Sequence, residues 1–158
     1  MARLLLVANN TLDSEELSGY VRERMAKDDT CHFTLLVPAT PHEGKPGSRV
    51  ANEIAHAGSG VRVSDATERA DDWEHARGRL EYGLSILRTL GAAVDGEVGD
   101  ANPAKAITEI LKRKTFDEVV LSTLPKGISR WLGLDIPHQI QRRFHIPVTV
   151  IQVQGVPS

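Results

Sequence analysis

Residues 117 to 135 bring together groups able to hold a small anion. Asp117-Glu-Val-Val-Leu-Ser-Thr123 reads as a strand that ends on two hydroxyls. Leu124-Pro-Lys-Gly-Ile-Ser-Arg-Trp131 then reads as a polar turn, and Asp135-Ile-Pro-His-Gln-Ile140 as a helix start. Ser122 and Thr123 offer hydroxyls, and Lys126 offers an ammonium. Gly127 has no Cβ and lets a ligand approach the backbone closely. Together with backbone amides, these groups suit a phosphate or carboxylate. From residue 122 to 145, Lys126, Arg130, Arg142 and Arg143 against Asp135 give +3, in a chain of net charge -2. The same residues also suit a plain solvated loop. What favours the anion is position, because open α/β sheets take ligands at the carboxyl ends of their strands.

Two more strand ends belong to the same rim. The first strand runs into Asn9-Asn10, whose amides can hydrogen-bond a polar ring or a sugar. The second ends at Val37, which can form an apolar wall. The expected ligand site is therefore Asn9, Asn10, Val37, Ser122, Thr123, Lys126 and Gly127.

Other chemistries find no residues to carry them. The chain has no G-x-G-x-x-G turn, P-loop or G-x-S-x-G elbow. His42, His56 and His75 stand at no metal-ligand spacing, so no metal site is expected. No nucleophile–base spacing appears, and no residue is assigned as catalytic. Cys31 has only His32 as a basic neighbour in the sequence, so it reads as a packing residue and not a reactive thiol.

Strand and helix signals alternate, which predicts a parallel sheet with crossover helices. Strands are expected over 3–8, 31–37, 93–98, 117–122 and 147–153. Leu4 to Ala8 is an unbroken apolar run, as in a central strand buried on both faces. Leu17, Tyr20, Val21 and Met25 recur at helical spacing behind the capping oxygens of Thr11 to Ser14. Asp65-Ala-Thr-Glu68 predicts the start of a helix reaching about Leu90, with Trp73, Ala76, Leu80, Leu84 and Leu87 buried. Asn102 and Pro103 open the next helix, with Ala104, Ile107, Ile110 and Leu111 facing the core. Asp135 is expected to cap the last helix, with Ile136, Ile140 and Phe144 as its stripe. Residues 38 to 64, broken by proline and glycine, read as a long loop with a short helical turn near Arg49 to His56.

The bulk numbers bound the function. The 158 residues suit a single domain over 1–158. A net charge of -2 and seven aromatic residues argue against a nucleic-acid partner. A lone cysteine fits a reducing compartment. The apolar run at Met1 to Ala8 is too short for a signal or a membrane span, so a cytoplasmic protein without membrane insertion is expected.

The opening Leu-Leu-Val-Ala strand, Gly99-Asp with Pro103 and Ile107, and the Leu-Ser-Thr strand end recur in one family. So do Gly127-Ile-Ser-Arg-Trp-Leu and Ile146-Pro-Val. In these features the chain resembles universal stress proteins over nearly its whole length. The resemblance implies a three-layer α/β/α sandwich of the adenine-nucleotide-alpha-hydrolase-like kind. Its five-stranded parallel sheet would have the order 3-2-1-4-5. It also implies a homodimer through the last strand, Val148 to Val153.

Members of that family that bind ATP carry G-x2-G-x9-G-[ST] after the fourth strand. Here Leu124 or Pro125 stands at the first glycine, and Gly127 matches the glycine before the Ser-Arg pair. Leu134-Asp135 replaces the final Gly-Ser/Thr. A carboxylate at a helix N-terminus repels a phosphate that would bind there. Three functions follow. One is a stress-type regulatory domain without tight ATP binding, acting through dimerisation or a protein partner. Another is a binder of ATP or another adenine nucleotide with a variant phosphate loop. The third is a small enzyme on the same scaffold, which no residue pair supports.

Overall fold

The computed structural model describes residues 2–8, 11–39, 61–123 and 135–153, and within 61–70 only the backbone. Five strands form one parallel sheet in the order β3-β2-β1-β4-β5. The strands are β1 (Arg3–Val7), β2 (His32–Pro38), β3 (Ala93–Gly99), β4 (Glu118–Thr123) and β5 (Val148–Gln152). Among the described residues the helices are α1 (Glu15–Lys27), α2 (Val61–Thr89), α3 (Pro103–Arg113) and α4 (Ile136–Phe144). This is the α/β architecture that the alternation of signals predicts and the strand order that the family resemblance implies.

β1 sits at the centre because it can sit nowhere else. Leu4, Leu5, Leu6 and Val7 are all fully buried, so both faces of the strand need cover. Leu4 and Leu6 face a cluster with Leu17 and Val21 of α1 and Ala76, Leu80, Leu84 and Leu87 of α2. Leu5 and Val7 face Ala106, Ile107 and Ile110 of α3 and Ile136 and Ile140 of α4. Register is pinned at the amino end, where Arg3 N donates to Asp117 Oδ2 and Asp117 N to Arg3 O, both at 2.7 Å.

Local signals set most helix ends. Ser14 Oγ accepts from Leu17 N and starts α1. Asn102 Oδ1 accepts from Ala104 N and Lys105 N and starts α3, with Pro103 in the first turn. α2 closes at Gly91, whose φ of +92° suits glycine. There Ala92 N bonds Leu87 O and Gly91 N bonds Arg88 O, a double closure of the last turn.

Three expectations need correction. α2 begins at Val61, so Asp65 is a helical residue and not its cap. Of the loop expected over 38–64, residues 61–64 are thus helical, and the turn near Arg49 to His56 lies outside the described residues. Trp73 is 44% exposed and does not join the buried stripe. It stands one turn before Ala76 and carries Arg77 against its ring, 5.8 Å from the centroid. Asp135 opens α4 but makes no side-chain cap. Its backbone is left-handed (φ 57°), and its Oδ1 accepts from His138 Nδ1 at 2.7 Å instead.

The two sheet edges differ. β3 carries Asp95 and Glu97. Asp95 accepts from Thr34 Oγ1 at 2.7 Å, and Glu97 pairs with Arg113 and Lys114. β5 reads Val-Thr-Val-Ile-Gln without a charge. It is tied to β4 and α1 by Glu118, which accepts from Tyr20 Oη at 2.5 Å and Thr149 Oγ1 at 2.6 Å and pairs with Arg24 at 3.2 Å. Burial first, and then the Glu118 carboxylate, push the Tyr20 phenol up to about 12, so it stays a donor.

α2 approaches the sheet closely over β3. A Cβ on Gly96 would lie 2.6 Å from Leu35 O and 2.7 Å from Leu80 Cδ1. Gly78, on the exposed side of α2, would meet nothing within 4 Å. Chemical denaturation should therefore separate two identical changes. Gly96→Ala should lose about 1–3 kcal/mol through overpacking. Gly78→Ala should gain about 0.5–1 kcal/mol through helix propensity.

Candidate functional site

Three strand ends come level at the carboxyl rim. Val7 pairs with both Leu36 and Leu121 in register, so Ala8, Val37 and Ser122 follow side by side. Ala8 N donates to Leu36 O at 3.2 Å and seals β1 to β2 at this level. Val153 N donates to Thr123 O at 2.8 Å and does the same for β4 and β5. Leu12, in the turn after β1, is buried beside them.

The residues expected to bind a ligand fall into two groups. Val37, Ser122 and Thr123 stand at this rim and are buried. Asn9, Asn10, Lys126 and Gly127 lie outside the described residues. Alternation along β4 points Ser122 with Val120 toward the α1/α2 side, and Thr123 with Leu121 toward the α3/α4 side. Val37 belongs to the α1/α2 cluster.

The Ser122 hydroxyl already has a partner that sequence reasoning did not identify. Thr11 Oγ1 donates to Ser122 O at 3.1 Å and lies 2.7 Å from Ser122 Oγ. The Ser122 hydroxyl can therefore donate back to Thr11, in a site where both residues are buried. The one local signal for Thr11 is a hydroxyl placed right after Asn9-Asn10 at the end of an apolar strand. It marks a strand end, and it does not say which strand the hydroxyl will reach.

Across the rim, α4 starts with Asp135. Pro137 has no N–H, and the first helical bond runs from Gln139 N to Asp135 O at 3.2 Å. The carboxylate is turned to His138, yet its charge stands at the positive end of the helix dipole. Cys31 lies at the opposite, amino end of the strands. It is buried, and burial pushes its thiol up, which fits a packing role. Among the described residues no group of three His, Cys, Asp or Glu side chains could hold a metal. No helix among them is long and apolar enough to cross a membrane.

No family model and no curated protein matches the chain. Solved structures do. A universal stress protein from Archaeoglobus fulgidus superposes with a TM-score of 0.55 at 13% identity, over 96% of this chain and 94% of that one. An Arabidopsis thaliana universal stress family protein with AMP bound gives 0.54 at 13% identity, over 100% and 97%. A universal stress protein in complex with cAMP gives 0.56 at 13% identity, over 98% and 100%. The chain thus has the fold of universal stress proteins.

The Thr11–Ser122 contact yields an asymmetric pair of variants. Ser122→Ala leaves Thr11 its carbonyl acceptor and should cost about 0.5–1.5 kcal/mol. Thr11→Val strips partners from both the carbonyl and the hydroxyl of Ser122 and should cost about 1–3 kcal/mol. Urea denaturation of the two variants checks the order. A Thr11→Val loss no larger than that of Ser122→Ala would contradict it.

Proposed function

We propose that the protein is a universal stress-type regulatory domain that does not bind ATP tightly and acts as a homodimer or on a protein partner. The observation that carries this reading is Asp135. An exposed carboxylate opens α4 on the carboxyl side of the sheet, and a polyphosphate placed against that helix end would meet repulsion. The loss of Ser122 as a free hydroxyl adds to it, because its oxygen is buried against Thr11.

A second reading is supported by two structures of this fold that hold AMP and cAMP. In it the chain binds an adenine nucleotide with a variant phosphate loop. Asn9, Asn10 and Val37 would take the nucleoside, and Ser122, Thr123, Lys126 and Gly127 would face the phosphate.

Calorimetric titration separates the two. Wild type is expected to bind ATP with a Kd of about 0.1 mM or weaker. Asp135→Asn removes the charge and keeps a side chain that tolerates the left-handed backbone. It should tighten ATP about two- to five-fold, and Lys126→Ala should weaken it. A micromolar wild-type Kd would favour the second reading. Equal affinities in all three proteins would show that phosphate does not bind at this turn.

The dimer is expected to form through Val148 to Val153. An uncharged, apolar edge is a pairing surface, whereas β3 is protected by its acids. Light scattering should give twice the 17.3 kDa chain mass. Val150→Lys should return one chain mass at the same concentration. A wild-type monomer at micromolar concentration would rule this assembly out.

A further inference from the structure

Arg79 belongs to none of the groups described so far. It lies on α2, whose sheet-facing residues include Ala76, Leu80, Leu84 and Leu87. Two contacts show which way the adjoining flank of α2 faces. A Cβ on Gly83 would lie 2.9 Å from Leu12 Cδ2, and Tyr82 Oη reaches Asp13 Oδ2 at 3.5 Å. Leu12 and Asp13 belong to the turn between β1 and α1. At about 100° per residue, Arg79 falls between Gly83 and Tyr82 around the helix and about one turn before them. The flank of α2 that carries Arg79 therefore faces the β1–α1 turn.

Height along the sheet follows from direction. α2 connects two adjacent parallel strands, so it runs antiparallel to them. Gly83 sits over Leu35, in the middle of β2, with a Cβ distance to Leu35 Cδ2 of 2.8 Å. One turn earlier is about 5 Å nearer the carboxyl ends. That brings Arg79 to the level of Val37 and Ala8, the rim where the candidate site lies.

Arg79 Nε is buried and has no hydrogen-bond partner, alone in this among the buried side-chain nitrogens and oxygens of the described residues. Burial pulls the guanidinium below its usual pKa, while the charge of Asp72 acts the other way. An unmet buried donor costs about 1–3 kcal/mol. In native proteins such a group calls for an explanation, and an ordered water or an ion is one of the usual ones. At the β1–α1 turn, Thr11 is engaged with Ser122 and Asp13 with Tyr82; the charge that acts on the guanidinium is that of Asp72, two turns earlier on α2.

We propose that Arg79 is the anion-recognising residue of this rim, its Nε–H donating to an oxygen of a small molecule that carries a phosphate or a carboxylate. The proposal rests on the reading of the strand ends as a ligand site and deepens it. The anion contact moves from the turn after β4, where Asp135 disfavours it, to the flank of α2. A guanidinium meets two oxygens at once through Nε–H and a terminal N–H, and a lysine cannot copy that fork.

The test uses full-length protein labelled with ¹⁵N, and it follows the Arg79 Nε–Hε resonance, assigned through the backbone and by its loss in Arg79→Lys. Inorganic phosphate, acetate, AMP and adenosine are added separately. A saturable shift with phosphate or acetate supports the proposal, and the anion that acts identifies the ligand class. AMP should shift the signal and adenosine should not. AMP affinity should also fall about ten-fold or more in Arg79→Lys, with adenosine binding unchanged. A signal that stays still with all three anions overturns the proposal, and this holds even if the variant fails to fold. If AMP moves amides around Ala8 and Val37 while Arg79 Nε stays still, the ligand site stands and the assignment of Arg79 falls.

Discussion

The burial of β1 on both faces is the constraint from which the rest follows. Four consecutive apolar side chains, Leu4 to Val7, are closed to water. An edge strand, or a sheet with one solvated face, would expose some of them. β2 and β4 must therefore flank β1, and helices must cover both faces. Each fully buried leucine contributes about 1.5–3 kcal/mol, so this short strand carries a large part of a typical domain's net stability. From Leu4 to Val7 it carries no polar side chain. Polar chemistry is thereby pushed to the strand ends, and register makes Ala8, Val37 and Ser122 level there.

Polar groups at that rim are disposed in a way that shapes any function. Ser122 and Thr11 satisfy each other inside the protein. Asp135 satisfies itself locally with His138, and it leaves a negative charge where a phosphate-binding helix would offer only amides. Arg79 Nε is the one buried side-chain donor left without a partner among the described residues. The fold is shared with proteins that hold AMP and cAMP. Fold alone does not carry function from one chain to another.

The two edges divide the labour of keeping the sheet finite. Asp95 and Glu97 on β3, with Glu97 paired to Arg113 and Lys114 at the end of α3, make that edge costly to extend. β5 has no such protection. Its fixed point is the Glu118 cluster, where Tyr20, Arg24 and Thr149 meet one carboxylate. This joins the edge strand to its neighbour and to α1, and among the described residues no strand pairs with the outer side of β5.

Much of the fold was legible in the sequence because its signals are local. The apolar run of β1, the Ser14 and Asn102 caps, and the stripes of Leu17 and Val21 or Ile107 and Ile110 each lie within one element. A few residues suffice to specify them, and the strand order followed from the family resemblance. What only the tertiary structure decided involves residues far apart in the chain or the competition between two local partners. Thr11 and Ser122 are 111 positions apart, and no spacing rule joins them. Asp135 could cap its helix or bond His138, and a left-handed backbone settled it for the histidine. Trp73 has the spacing of a core residue, but the sheet ends short of it. Arg79 reads as an ordinary surface arginine in a charged helix. Its buried, unmet donor lies on a flank of α2 that close packing at Gly83 turns toward the β1–α1 turn. Sequence patterns record which side of an element avoids water. Whether a polar atom finds a partner depends on where other elements come to rest, and that is a property of the packed chain.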